Sequence, residues 1–139
     1  MTEIRTVAPE AVWPLRHRVM YPNLEFDAIK LDDDAEGIHF GLFDEGGLVS
    51  VVSVFRRGTE LQFRKFATET ALQGKGHGSA LLKHVIDVAR REGATRLWCN
   101  ARRNAAGFYQ RFGFRETAET FYKDGYEFVV MELPLRQRD

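Results

Sequence analysis

The chain has 139 residues, 20 Lys plus Arg against 20 Asp plus Glu, a formal net charge of zero and a single cysteine. That length suits one compact domain burying about two-thirds of its unfolded surface, and the balanced charge excludes a global field that would attract nucleic acid or an anionic membrane. Cys99 has no partner for an internal disulfide, the longest apolar run is too short for a bilayer, and no signal-peptide pattern is present, so a cytoplasmic protein is expected.

Glu3 to Val7 alternates weakly and predicts a first strand ending before Pro9. Val12, Leu15, Arg16 and Val19 then fall at helical spacing, which predicts a helix from Pro9 to Met20, with Pro14 distorting its early turns. Tyr21 to Gly37 keeps no period, and its Asp32-Asp33-Asp34 run reads as a solvated loop, since adjacent loop carboxylates define no metal geometry. Glu36 to Asp44 and Leu48 to Arg57 predict a hairpin around Glu45-Gly46-Gly47, and Arg57-Gly58-Thr59 turns the chain into a third strand, Glu60 to Thr68. Leu61 and Phe63 share one face of that strand, but Phe66 and Thr68 are out of phase by one residue. An extra residue near Arg64-Lys65, a β-bulge, restores the phase.

Leu72 to Leu82 is the most informative stretch. Gly74, Gly76 and Gly78 stand at every second position against the start of an amphipathic helix, whose apolar stripe is Leu81, Leu82, Val85, Ile86, Val88 and Ala89. Glycines permit positive φ and close backbone approach, and a helix start offers unpaired N–H groups and partial positive charge, so the stretch reads as a cradle for phosphate or pyrophosphate. The letters fit neither a Walker loop, because Lys75 lies between glycines, nor the dinucleotide pattern G-x-G-x-x-G. Gly93 stops the helix, and Thr95 to Ala101 predicts a strand parallel to the third one through a right-handed crossover. Asn104 is expected to cap a short helix through Phe112. Phe114 to Phe121 and Tyr126 to Leu133 make a closing hairpin around Lys123-Asp124-Gly125, and Pro134 with the polar Arg136 to Asp139 ends the fold.

Gln73, Gly76 and Gly78 spell Gln-x-x-Gly-x-Gly, and Asn104 to Phe114 resembles Asn-x-x-Ala-x-x-Phe-Tyr-x-x-x-Gly-Phe, with Gly107 near a small-residue position. Together they resemble the acetyl-CoA pyrophosphate loop and the following helix of the GCN5-related N-acetyltransferases (GNAT). The resemblance runs from about Leu61 to Phe114, and the element order extends it over nearly the whole chain. It implies an α+β fold of the GNAT acyl-CoA N-acyltransferase type, a mixed, mostly antiparallel sheet with helices on both faces, in one N-acetyltransferase domain over residues 1–139.

The implied reaction is transfer of an acetyl group from acetyl-CoA to a primary amine of a small molecule, peptide or protein by direct attack. The alternative is a catalytically weak acyl-CoA-binding sensor or interaction module. Acetyl-CoA and an amine acceptor are the implied partners of a monomer or homodimer, with no metal, nucleic acid or membrane. By the same resemblance, Gln73, Gly74, Lys75, Gly76, His77, Gly78 and Ser79 would hold the pyrophosphate. Phe66, Ala67 and Thr68 would meet the pantetheine amides and thioester carbonyl along a strand edge, left open if the strands at Glu60 and Thr95 pair near one end only. Asn104 and Phe108 would contact the cofactor arm, and Tyr109 would protonate the departing thiolate.

Other readings of the same residues stand beside these. Tyr109 also fits a core aromatic with its hydroxyl bonded, and Cys99 fits a buried strand residue rather than a nucleophile. His77 and His84, seven apart, are too few for a metal set. Lys75, Arg102 and Arg103 either meet cofactor phosphates or are solvated. Where many family members carry an acidic residue on the bulged strand, this chain has Phe63-Arg64-Lys65-Phe66, which leaves the base unassigned among Glu25, Asp27, Glu60, Glu69 and Glu127. Thr70 replaces a common proline, and Phe128 stands where one branch of small acetyltransferases often has histidine.

Overall fold

The computed structural model describes residues 1–135, so the expected polar tail, Arg136 to Asp139, lies outside the described residues. Its main elements are β1 (Thr2–Val7), α1 (Pro9–Met20), β2 (Ile38–Asp44), β3 (Gly47–Arg57), β4 (Glu60–Thr68), α2 (His77–Arg91), β5 (Arg96–Arg102), α3 (Ala106–Gln110), β6 (Arg115–Lys123) and β7 (Tyr126–Pro134). Seven strands form one sheet in the order β1-β2-β3-β4-β5-β7-β6. The pairs β1–β2, β2–β3, β5–β7 and β6–β7 are antiparallel, and β4–β5 is parallel. This is the mixed, mostly antiparallel sheet expected.

Two hairpins owe their turns to residues that tolerate left-handed backbone. Glu45-Gly46 has φ of 51° and 82°, and Asp124-Gly125 has 52° and 83°. Positive φ at both central residues defines the type I′ turn, whose twist matches that of the flanking strands. Both loops are therefore two residues long, one residue tighter than the sequence suggests.

The described chain divides into two compact units, Met1–Phe55 with Phe63–Val85, and Arg56–Gln62 with the chain from Ile86 onward. In the first, α1 is assigned as one helix that includes Pro14. It buries Val12 and Leu15 against Val51 of β3 and Ala67 of β4, with Val7, Trp13, Val19, Met20 and Leu48 packed around them. Each such side chain contributes about 1.5–3 kcal/mol when removed from water. Leu81, Leu82 and Val85 of α2 are fully buried, as the stripe requires.

One part of this unit departs from expectation. Asp34, read as part of a solvated loop, is 3% exposed and holds Arg16, which is 0% exposed. Arg16 donates from Nη1 to Asp34 Oδ2 at 2.8 Å and from Nη2 to Oδ1 at 3.1 Å, a bidentate fork. Trp13 Nε1 at 3.0 Å and the Leu31 amide at 2.9 Å also donate to Oδ2. Arg16 further reaches the Ile29 carbonyl and Ser53 Oγ, each at 3.0 Å. His39 completes the chain, with Nδ1 2.7 Å from Ser53 Oγ and Nε2 2.8 Å from the Asp34 carbonyl. With the imidazole proton on Nε2, the direction is consistent throughout: Arg16 donates to Ser53, Ser53 to His39, and His39 to Asp34. Such pairing makes burial of the two charges tolerable.

In the second unit β5 is central. Leu97, Cys99 and Ala101 of β5 and Val129, Val130 and Met131 of β7 are buried. Glu132 of β7 accepts from Arg96 at 2.6 Å and from Arg115 at 2.8 Å, tying three strands on one face. The parallel ladder between β4 and β5 comprises Leu61↔Leu97 and Gln62↔Trp98.

Candidate active site

The glycine stretch forms an open turn in the first unit. Gly74 and Gly76 have φ of 82° and 88°, and a Cβ built on either would meet nothing within 4 Å. These positions combine left-handed backbone with empty space in front of it. Gly78 differs from the reading that groups it with them, because it already lies inside α2. A Cβ there would sit 3.5 Å from Thr68 Oγ1 and 3.7 Å from the Phe66 ring. The first turn of α2 thus lies against the end of β4 at ordinary contact distance.

The end of β4 is braced from two sides. Ser50 Oγ donates to the Ala67 carbonyl at 3.2 Å and lies 2.9 Å from Thr68 Oγ1. Gln73 Nε2 donates to the Thr68 carbonyl at 3.1 Å, which ties the start of the glycine turn to the strand. Gln73, Gly74, Lys75 and Gly76 are exposed, while His77 is buried with Nε2 3.8 Å from Asp44. The unit thus brings Phe66, Ala67, Thr68 and Gln73 to Ser79 together. Ser50 is a bracing residue that sequence reading missed; a serine inside the valine run of β3 was its only signal.

The expected bulge has a clear local counterpart: Lys65 has φ of 56° in the middle of β4. Left-handed backbone in a residue with a Cβ is costly and marks an interruption of the strand. Lys65 bonds Tyr21 through its ammonium, which also lies 4.7 Å from the centre of the Tyr21 ring. Burial holds the Lys65 amine below the usual lysine range, and the Tyr21 bond opposes that fall.

Most of the carboxylates left open as bases are already engaged. Glu60 accepts from Arg96, Glu69 from Arg18, Glu127 from Arg103, and Asp27 pairs with Lys30. Glu25 is exposed at the head of a short 3-10 turn, Phe26–Ile29.

In the second unit, Asn104 does not cap a helix as expected. It lies inside a 3-10 turn, Arg103–Ala105, and Ala105 occupies the cap position of α3 without a side-chain bond. The turn replaces the first helical turn and leaves the Asn104 side chain exposed. Tyr109 follows on α3, with its ring 5.2 Å from Phe108 and 5.9 Å from Phe114. The amides of Phe112 and Phe114 both donate to the Tyr109 carbonyl, at 2.9 and 3.3 Å. Burial first, and then Cys99 nearby, push the Tyr109 hydroxyl above its ordinary value, so it carries its proton at neutral pH. Burial likewise pushes the Cys99 thiol up, which removes it as a thiolate nucleophile.

His77 lies beside Asp44, and the His84 ring packs edge-on against Phe40 at 4.8 Å, so the two histidines have different neighbours. Among the described residues, no three His, Cys, Asp or Glu side chains gather as a metal set, and no helix is long and apolar enough to cross a membrane.

Residues 10–135 match the family model described as "Acetyltransferase (GNAT) domain". A relative in Bacillus subtilis (strain 168), the uncharacterised N-acetyltransferase YitI, is 31% identical over 146 aligned positions that cover 98% of both chains. A solved structure from Lactobacillus plantarum has a TM-score of 0.87 at 22% identity, covering 97% of this chain and 99% of that one. A GNAT family acetyltransferase from Elizabethkingia anophelis, solved with acetyl-CoA bound, has a TM-score of 0.76 at 18% identity, over 96% and 98% of the two chains.

Proposed function

Since this chain belongs to the GNAT acetyltransferase family and is an acyl-CoA-dependent N-acetyltransferase, we propose that it moves the acetyl group of acetyl-CoA directly onto the primary amine of a small molecule, peptide or protein. The observation that carries this reading is the glycine turn: two left-handed glycines with open space before them, leading into the start of α2. A pyrophosphate fits that space, since backbone N–H groups and the helix end favour negative charge. Gln73 to Ser79 would hold it, with Lys75 adding a mobile cation. Bound acetyl-CoA in the Elizabethkingia relative supports the choice of donor.

Acetyl-CoA supplies a thioester whose carbonyl carbon accepts the amine lone pair while the C–S bond breaks. Phe66, Ala67 and Thr68 would align the pantetheine arm and polarise the carbonyl, a gain from orientation and fixed dipoles. The bracing by Ser50 and Gln73 matters here, because it fixes two carbonyls of that segment. Asn104 and Phe108 would contact the arm. Tyr109 would give its proton to the leaving sulfur, and its burial keeps that proton in place until the thiolate forms.

Residues 1–139 would act as one N-acetyltransferase domain, a reading supported by the family match across 10–135. We place it in the cytoplasm, as a monomer or homodimer, with acetyl-CoA and an amine as its partners and with no metal, nucleic acid or membrane.

The direct test is thiol release from acetyl-CoA by the purified protein across a broad amine panel. Amine-dependent release is expected, and binding of acetyl-CoA without release by any amine would instead favour the sensor reading. Two further outcomes test the cradle. Saturating acetyl-CoA is expected to raise the melting temperature, because a ligand at about 100 times its Kd stabilises the native state by about 2.7 kcal/mol. Gly76→Val is expected to remove acetyl-CoA binding in calorimetry while circular dichroism stays unchanged, since a β-branched residue opposes the φ of 88° and fills the open space. Unchanged affinity would sink the pyrophosphate assignment.

A further inference from the structure

We propose that a cleft at the end of β5 binds an anionic oxygen group, a carboxylate or a phosphate, of one of the two reactants. The cleft measures about 260 Å³ and is lined by Arg102, Arg103, Asn104, Gly125, Tyr126 and Glu127, all within the second unit. The proposal rests on the reading that acetyl-CoA and an amine are those reactants.

The two arginines have different surroundings. Arg103 donates to Glu116 and, at 3.3 Å, to Glu127, so its charge is already committed to two carboxylates. Gln110 also donates to Glu116, at 3.4 Å. Arg102 takes part in none of these ion pairs; its guanidinium lies 4.1 Å from the centre of the Tyr126 ring. An aromatic face beside a guanidinium restricts its motion without occupying its N–H donors, and the planar fork can meet a carboxylate or phosphate with two parallel hydrogen bonds.

Both walls are held by the fold. Arg102 is the last residue of β5 and pairs with Phe128 of β7, whereas Tyr126 opens β7 directly after the tight Asp124-Gly125 turn. Tyr126 is 48% exposed and lines the cleft beside Arg102. Among the described residues that line the cleft, Glu127 is the acidic one, and it pairs with Arg103 rather than with Arg102. Asn104 supplies an amide beside it, suited to a further hydrogen bond with the same oxygens.

Such a group comes from one of two sources: a phosphate of the cofactor, or a carboxylate or phosphate borne by the amine acceptor. Calorimetry on the full chain separates them without turnover. In one arm, CoA is compared with 3′-dephospho-CoA. In the other, amines are titrated into CoA-saturated protein, each as the free carboxylate and as the amide, from glycine and glycinamide to 4-aminobutanoate and its amide. Loss of a charge-assisted bidentate contact changes Kd by about ten- to hundredfold. One arm is expected to show that preference for the anionic member, and to lose it in Arg102→Gln. Arg102→Lys, which keeps the charge without the fork, is expected to retain part of it. The arm that responds names the source. The proposal is overturned if neither arm discriminates in the wild type, or if the discrimination survives both substitutions. Absence of thiol release with every amine would sink the transfer reaction while leaving these binding results to decide the cleft.

Discussion

Asp34→Ala is expected to be the most destabilising single change in the first unit, by about 3–5 kcal/mol, because it strands the Arg16 guanidinium in the core. Arg16 is fully buried, and Asp34 provides its bidentate partner at 2.8 and 3.1 Å. Removal of the carboxylate leaves a buried charge with only the Ile29 carbonyl and Ser53 hydroxyl as acceptors. It also strips the Trp13 indole and Leu31 amide of theirs. For a domain of this size the melting temperature should fall by roughly 10–20 °C. Urea unfolding of the two proteins measures it, and a loss below about 1 kcal/mol would show that water or repacking compensates Arg16.

The same carboxylate predicts a pH dependence. Burial by itself would raise its pKa, but Arg16, the Leu31 amide and the Trp13 indole together outweigh burial and leave it below the ordinary carboxylate value. A group with a depressed folded pKa contributes stability that is present above its unfolded pKa and is lost as pH falls through the folded value. The wild type should therefore lose stability on acidification, and Asp34→Ala should lose less over that window.

Tyr109→Phe is expected to lower kcat by about a hundredfold or more with little change in acetyl-CoA affinity. The substitution keeps the ring between Phe108 and Phe114 and deletes only the hydroxyl. General acid assistance is worth about 10²–10⁴-fold, and an interaction confined to the transition state lowers kcat and kcat/KM together. A purely structural tyrosine would behave otherwise: stability would drop while the folded fraction turned over at a near-normal rate. Near wild-type kcat with the best amine, under conditions where chemistry limits the rate, would remove Tyr109 from the mechanism.

Several parts of the fold were legible locally. The bounds of α1 and β4 match their predicted spans, because Pro9 and Pro22 bracket one period and Gly58 starts another. The phase break at Phe66 located the irregularity that Lys65 adopts, since with a side-chain period of two one extra residue moves every later side chain to the other face. Gln73, Gly76, Gly78, Asn104 and Tyr109 carried the family resemblance because motif spacing is itself a sequence property.

Other features depended on residues distant in the chain. Nothing near Asp34 distinguishes it from Asp32 and Asp33; its burial is decided by Arg16, 18 positions earlier, and by His39 and Ser53 on two strands. The division between the two arginines at the end of β5 is of the same kind, since Arg102 and Arg103 are adjacent letters. Glu116 and Glu127, brought in by β6 and β7, pair with one, and the Tyr126 ring lies against the other. Periodicity, turn chemistry and motif spacing are properties of neighbouring residues and can be read from the chain. The charge state and partners of a side chain depend on which distant groups the sheet order brings within a few ångströms, and that is settled only when the tertiary structure forms.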